Sequence, residues 1–180
     1  KNRLNILKKK KNFLFLKYNL NNKNFYHKLK KYLKDIEVVI HLAGQAGVRY
    51  SIINPETYIT NNILAYVKLL EFFKRSKKLK VFLYASSSSV YGETGRKKLS
   101  DFNANKPVSI YSASKISMEI IANVYSKLYK MNLIGLRFFT VYGPWGRPDM
   151  SYFKFLILNK NKRFIKIFNY GKHQRSFTYI

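Results

Sequence analysis

Two stretches of this sequence carry residue types able to move a proton. In Tyr111-Ser112-Ala113-Ser114-Lys115 a phenol and an ammonium stand four residues apart, a spacing that places both on one face of a helix. A phenol titrates near ~10 and is a poor base at neutral pH, but a neighbouring cation favours phenolate and lowers that value. In Tyr84-Ala85-Ser86-Ser87-Ser88-Ser89-Val90-Tyr91-Gly92, four hydroxyls interrupt an apolar run. Polyserine is a linker composition in many chains, and serines also end strands and cap turns. The Tyr-x-x-x-Lys spacing is unspecific in a chain of 15 tyrosines, and Tyr26-His27-Lys28-Leu29-Lys30 repeats it. Context separates the two matches, since only Tyr111 follows a serine cluster, by about two dozen residues.

A third stretch, Gly44-Gln45-Ala46-Gly47, resembles a dinucleotide-binding loop. The third glycine of such a loop would fall at Tyr50, and no acidic residue ends a following strand at the required distance, so it is not a pyrophosphate loop. Two glycines there let backbone pass close to a flat ligand.

The elements that must position these groups alternate. Residues 13–18 read as a strand, 25–34 as a short helix and 37–43 as a continuous apolar strand buried on both faces. Asn54-Pro55-Glu56 supplies an N-cap, a first-turn proline and an early acid for a helix running to about Arg75. Residues 80–85 form the next strand, and the serines follow it directly, so their hydroxyls should face the crevice at the sheet's carboxyl edge, where α/β proteins collect reactive groups. A polar loop covers 93–108, and 110–129 carries apolar residues at helical spacing (Ile116, Ile120, Ile121, Val124, Leu128). Residues 133–139 read as a strand, 150–159 as a helix and 164–169 as a last strand. This rhythm predicts an α/β fold, a doubly wound parallel sheet with right-handed crossovers and helices on both faces.

At 180 residues the chain has the length of one ordinary domain. It has no run of the ~18 apolar residues a membrane span needs and no signal-peptide core, so a soluble, cytoplasmic protein with no membrane partner is expected. Cysteine is absent, which removes disulfides and thiolate metal sites, and no metal site is expected. The net charge of +27 suggests a polyanion partner. The excess is mostly Lys, spread along the chain and accompanied by abundant Asn, Ile, Phe and Tyr, as A/T-biased coding produces. General basicity builds no binding face, so no specific nucleic-acid partner is expected.

Together "VVIHLAGQAGVRYS", "YASSSSVYG", "YSASK", "GLRFFTVYGPWGRPDM" and "NYGKHQRSFTYI" resemble the extended short-chain dehydrogenase/reductase (NAD-dependent epimerase/dehydratase) family, most closely its UDP-glucuronate 4-epimerases. The resemblance implies a Rossmann-like fold and bound NAD. It implies that Tyr111 takes the proton of the sugar 4-hydroxyl while hydride leaves C4, and that the 4-ketone turns over and is reduced on its other face. Lys115 would tune Tyr111 and hold the nicotinamide ribose, and Ser87 would hydrogen-bond the reacting oxygen. Leu42, Ala43, Gly44, Gln45, Asn61, Asn62, Ser86 and Phe139 fall at cofactor positions, together with Tyr111 and Lys115. Ser87, Ser88, Ser89, Thr140, Arg147 and Arg175 fall at substrate positions. An arginine fork suits a carboxylate or phosphate, with a surface ion pair as the bland alternative. Related dehydratases and decarboxylases carry acids where Ser88 and Ser89 stand; neutral hydroxyls fit conversion of UDP-glucuronate to UDP-galacturonate.

The resemblance also implies a homodimer of the full-length protein, through a bundle of the two long helices. Residues 1–145 would be a partial NAD-binding domain and 146–180 the start of a sugar-nucleotide-binding region. The family's first βαβ portion and most of its small substrate domain have no counterpart, so the chain reads as a fragment truncated at both ends, expected to bind NAD poorly alone. Asn19 stands where the family has an Asp near the adenine, Gly44 replaces an alanine, Ala65-Tyr66 a Gly-Thr pair, and Ser176 an aspartate. Another sugar-nucleotide epimerase or dehydratase, or an inactive gene remnant, are the alternatives.

Overall fold

The computed structural model describes residues 2–92, 106–167, 169–172 and 176–180. The helix α1 (Asn2–Lys8) precedes a turn and a stretch without regular structure, and α2 (Lys23–Leu29) follows, capped by the Asn22 side chain on the Asn24 amide. Strand β1 (Val38–His41) leads through a loop to α3 (Val48–Ile53), α4 (Pro55–Tyr58), a π-helical turn (Ile59–Leu64) and α5 (Ala65–Phe73). Strand β2 (Val81–Ser87) runs into a 3-10 turn (Ser88–Tyr91), then come α6 (Ile110–Tyr129) and β3 (Leu133–Phe138). Beyond lie β4 (Thr140–Tyr142), α7 (Ser151–Lys160) and β5 (Phe177–Tyr179).

The chain divides into two compact units, Lys1–Leu136 and Arg137–Ile180. In the first, the strand order is β1-β2-β3, and β1 lies parallel to β2 with Val38 opposite Val81 and His41 opposite Tyr84. This strand-helix alternation around parallel strands is the Rossmann-like arrangement. Its core is aromatic: Tyr66 of α5 meets Phe82 edge-on at 6.0 Å and Tyr84 at 5.2 Å, and Leu70, Phe73, Met118 and Ala122 complete it. In the second unit β4 and β5 pair in parallel, Thr140 opposite Phe177.

Several expectations are corrected. Residues 13–18 form no strand, because an apolar run becomes one only against a ladder partner, and none among the described residues pairs with it. Residues 164–167 are likewise irregular, and Phe177–Tyr179 takes the place beside β4. β1 is not buried on both faces. His41 is covered, whereas Val38 is 50% and Ile40 60% exposed. The expected helix from Asn54 is interrupted by the π-helical turn, and Asn54 makes no side-chain cap. Helix α6 has the expected bounds, yet its buried face is Ser112, Ser114, Lys115, Met118 and Ala122, while Ile120, Val124 and Leu128 lie exposed. Most of the 93–108 loop lies outside the described residues.

Candidate active site

Helix α6 starts at a reciprocal cap. The Ser112 amide donates to Ser109 Oγ (3.1 Å), and the Ser109 amide donates to Ser112 Oγ (3.0 Å). Tyr111 therefore sits in the first turn, with Lys115 one turn later on the same face. Lys115 is 6% exposed, and its Nζ donates to the Ala85 carbonyl on β2 at 2.7 Å. Burial pushes its pKa down to about 8. Its Nζ also donates to Met118 Sδ at 3.8 Å, and an ammonium has three donors, so one is left for another partner. The lysine thus pins the helix carrying the phenol to the strand carrying the serines.

Ser86 and Ser87 are the last two residues of β2 and do not follow it, which corrects the expected boundary. Their hydroxyls also part company. Ser86 is 3% exposed and donates to the Glu119 carboxylate of α6 at 2.5 Å, so it faces the helix and not an open crevice. Ser87 Oγ accepts from the Ser89 amide at 3.2 Å and bonds Ser89 Oγ at 3.1 Å, capping the turn that contains Ser88 and Ser89. The serine run is a strand end followed by a capped turn, with Tyr91 and Val90 buried behind it.

At the end of β1 the chain turns through Gly44 and Gln45, held by Asn62. This residue is fully buried. Its Oδ1 accepts from the Gln45 amide (2.7 Å), and its Nδ2 donates to the Gln45 carbonyl (3.1 Å) and to Ser114 Oγ (2.9 Å). The π-helical turn aims it there, a distortion that recurs at functional sites. The resemblance implies a cofactor contact for Asn62, but every polar atom of its side chain is committed inside the protein, linking the loop to α6. Tyr58, also fully buried, donates to the Gly47 carbonyl at 2.6 Å and meets the Tyr111 ring edge-on at 6.0 Å. His41 stacks on Tyr66 at 5.6 Å; burial and then the charge of Lys115 push its pKa down to about 4.

Ala43, Gly44, Gln45 and Asn61 line one cavity of about 530 Å³ together with Lys17, Tyr18 and Leu20. That volume suits a small-molecule ligand. Asn21 also lines it, and its Oδ1 is a buried acceptor without a hydrogen-bond partner, which a ligand N–H or O–H would satisfy. Leu42 is 62% exposed and not among the lining residues. Phe139, Thr140 and Arg147 belong to the second unit. Arg147 forms a fork on Asp149, its Nε donating at 3.0 Å, and thereby holds the Asp149 carboxyl below the usual carboxylate range. Arg175 lies outside the described residues.

The alternative Tyr26 is excluded by its surroundings. Its hydroxyl donates to the Leu20 carbonyl at 2.7 Å, and burial pushes its pKa up to about 12. Sequence reasoning missed Tyr58, Glu119 and the Lys17–Asn21 side of the cavity. Tyr58 is one of many tyrosines in a biased composition, and the cavity wall was hidden by the mistaken strand at 13–18. Glu119 stands one turn beyond Lys115, a spacing visible in the sequence, though nothing there identified its strand partner.

The NAD dependent epimerase/dehydratase family matches the chain over residues 2–180. Protein CapI of Staphylococcus aureus is 49% identical over 174 residues, which are 95% of this chain and 51% of that protein. A probable UDP-glucuronate 4-epimerase of Rhizobium meliloti is 46% identical over 82% of the chain and 43% of its own length. Among solved structures, UDP-glucuronic acid 4-epimerase from Bacillus cereus, in complex with UDP-glucuronic acid and NAD, superposes with a TM-score of 0.89 at 36% identity, over 99% of this chain and 55% of that one. The chain spans about half the length of the relatives it matches.

Proposed function

The chain belongs to the NAD dependent epimerase/dehydratase family, and from that premise we propose that it forms part of an NAD-dependent epimerase acting at C4 of a UDP-sugar, converting UDP-glucuronate to UDP-galacturonate. The observation that carries this reading is the bond from Lys115 Nζ to the Ala85 carbonyl, which brings the Tyr111 helix and the serine strand end together. The cavity beside Ala43, Gly44, Gln45 and Asn61 accommodates part of NAD, with the orphaned Asn21 Oδ1 as one acceptor for it. NAD, when bound, supplies the two-electron acceptor and donor of the reaction.

The residues of this chain do the rest. Tyr111 takes the proton from the substrate hydroxyl at its phenol oxygen and gives one back when the alcohol is re-formed. Lys115 supplies positive charge to that phenol and keeps one N–H donor uncommitted, gaining a second for a ribose hydroxyl when it gives up its long bond to Met118 Sδ. Ser87 hydrogen-bonds the reacting oxygen, giving up its bond to Ser89 to do so. Ser88 and Ser89 offer neutral hydroxyls to a substrate carboxylate without adding a second negative charge. Thr140, Arg147 and Arg175 are assigned to the substrate and Phe139 to the cofactor, on the family positions alone. The full-length enzyme is a homodimer, a reading supported by the exposed Ile120, Val124 and Leu128 at four-residue spacing along α6.

The test is Tyr111→Phe in the full-length protein, assayed with UDP-glucuronate. Turnover is lost while NAD remains bound; undiminished turnover refutes the assignment. Product analysis tests the substrate reading separately: a 4-keto-6-deoxy sugar or a pentose nucleotide would place the enzyme in another branch of the family.

A further inference from the structure

Helix α6 holds the end of β2 by two side-chain bonds to consecutive residues. Lys115 donates to the Ala85 carbonyl at 2.7 Å, and one helical turn on, Glu119 accepts the Ser86 hydroxyl at 2.5 Å. A single bond would leave strand and helix free to pivot about it. Two bonds from residues four apart on a rigid helix to adjacent strand positions fix both the separation and the axial register of the elements. Packing alone does not call for a carboxylate here. Glu119 is half-buried on α6, and β2 beneath the helix carries the buried Phe82 and Tyr84. What the side chain provides is an acceptor oxygen placed to take the Ser86 hydroxyl.

The residue after Ser86 is Ser87, and the residue one turn before Lys115 is Tyr111. From this juxtaposition we propose that Glu119 is a positioning residue for the reaction: by gripping Ser86 it sets the depth at which β2 presents Ser87 to the Tyr111-Lys115 pair. The inference rests on the catalytic roles proposed above for Tyr111, Lys115 and Ser87. A slack of about 1 Å at a reacting centre costs on the order of 10²-fold in rate without weakening binding to the same extent. The signature of Glu119 is therefore in kcat.

The test compares the full-length enzyme with Glu119→Ala, Glu119→Gln, Ser86→Ala and the Glu119→Ala/Ser86→Ala double variant. Glu119→Ala lowers kcat at least tenfold and leaves KM for UDP-glucuronate within about twofold. Glu119→Gln, whose amide oxygen still accepts the Ser86 proton, stays within about threefold of the parent, and the double variant is no slower than Glu119→Ala. The inference is overturned if Glu119→Ala keeps kcat within twofold, if Glu119→Gln loses as much as Glu119→Ala, or if the two single losses multiply. A second arm needs no turnover. Hydrogen exchange at the amides of residues 87–91 rises severalfold in Glu119→Ala but not in Glu119→Gln, and equal exchange in parent and Glu119→Ala overturns the tether itself. A parent that leaves UDP-glucuronate unchanged, with the tether intact by exchange, refutes the proposed function and the catalytic meaning of the tether while preserving the contact.

Discussion

Asn62 is the position where a single substitution separates two readings of the site. If its side chain served the cofactor, removing it would weaken NAD binding and leave the NAD-free protein about as stable as before. The structure gives it a different task, since three hydrogen bonds join the loop at Gln45 to Ser114 on α6 from a fully buried position. Each neutral hydrogen bond contributes about 1 kcal/mol net, and a buried group left unsatisfied costs about 1–3 kcal/mol. Asn62→Ala removes all three bonds and strands the Gln45 amide and carbonyl, so the expected loss is about 3–5 kcal/mol. In a chain of this size each kcal/mol moves the melting midpoint by roughly 2–4 °C, a fall of roughly 6–20 °C. Asn62→Asp should be no milder: it keeps an acceptor for the Gln45 amide but sets carboxylate oxygen against the Gln45 carbonyl in a fully buried position. The assay is urea and thermal unfolding without NAD, with the urea m-value checked for constancy. A loss below 1 kcal/mol for Asn62→Ala would refute the structural role and return the residue to the cofactor.

Other expectations concern protonation, packing and assembly. His41, with its pKa pushed down to about 4 from 6.5, is neutral in the folded protein where the unfolded chain binds a proton. Its contribution is fully present above pH 6.5 and is lost as pH falls toward 4, by up to about 3 kcal/mol. His41→Phe, which can still stack on Tyr66, should flatten that acid limb in unfolding measured from pH 4 to 7; an unchanged slope would show that His41 does not cause it. A Cβ at Gly135 would meet the Tyr84 hydroxyl at 2.5 Å and its ring at 2.6 Å, so Gly135→Ala must displace a buried aromatic and should cost about 1–3 kcal/mol. Denaturation at the wild-type midpoint would contradict that crowding. Val124→Glu, on an exposed stripe of α6, should leave the monomer's stability within about 0.5 kcal/mol and shift the full-length protein from dimer to monomer in sedimentation, whereas a dimer of unchanged affinity would remove α6 from the interface.

The sequence alone determined the parts whose signals are local. Helix α6 was legible to the residue because apolar residues at helical spacing lie within its own span. The pairing of Tyr111 with Lys115 follows from helical spacing, and Ala43, Gly44, Gln45 and Asn61, family positions in the sequence, line one cavity in the structure. Tertiary structure decided what those signals do in space. Residues 13–18 look like a strand, yet a strand exists only where another chain segment supplies its hydrogen bonds. Ile120, Val124 and Leu128 of α6 face outward, while Ser112, Ser114 and Lys115 face inward with Met118 and Ala122, since the inner face must also meet the end of β2 with small or hydrogen-bonding groups. Ser86 and Ser87 are neighbours of one residue type with different partners, because alternate strand positions point to opposite sides and only the packed helix reveals which side holds Glu119. Periodicity within one segment fixes that segment's conformation, but partners tens of residues apart are chosen by packing.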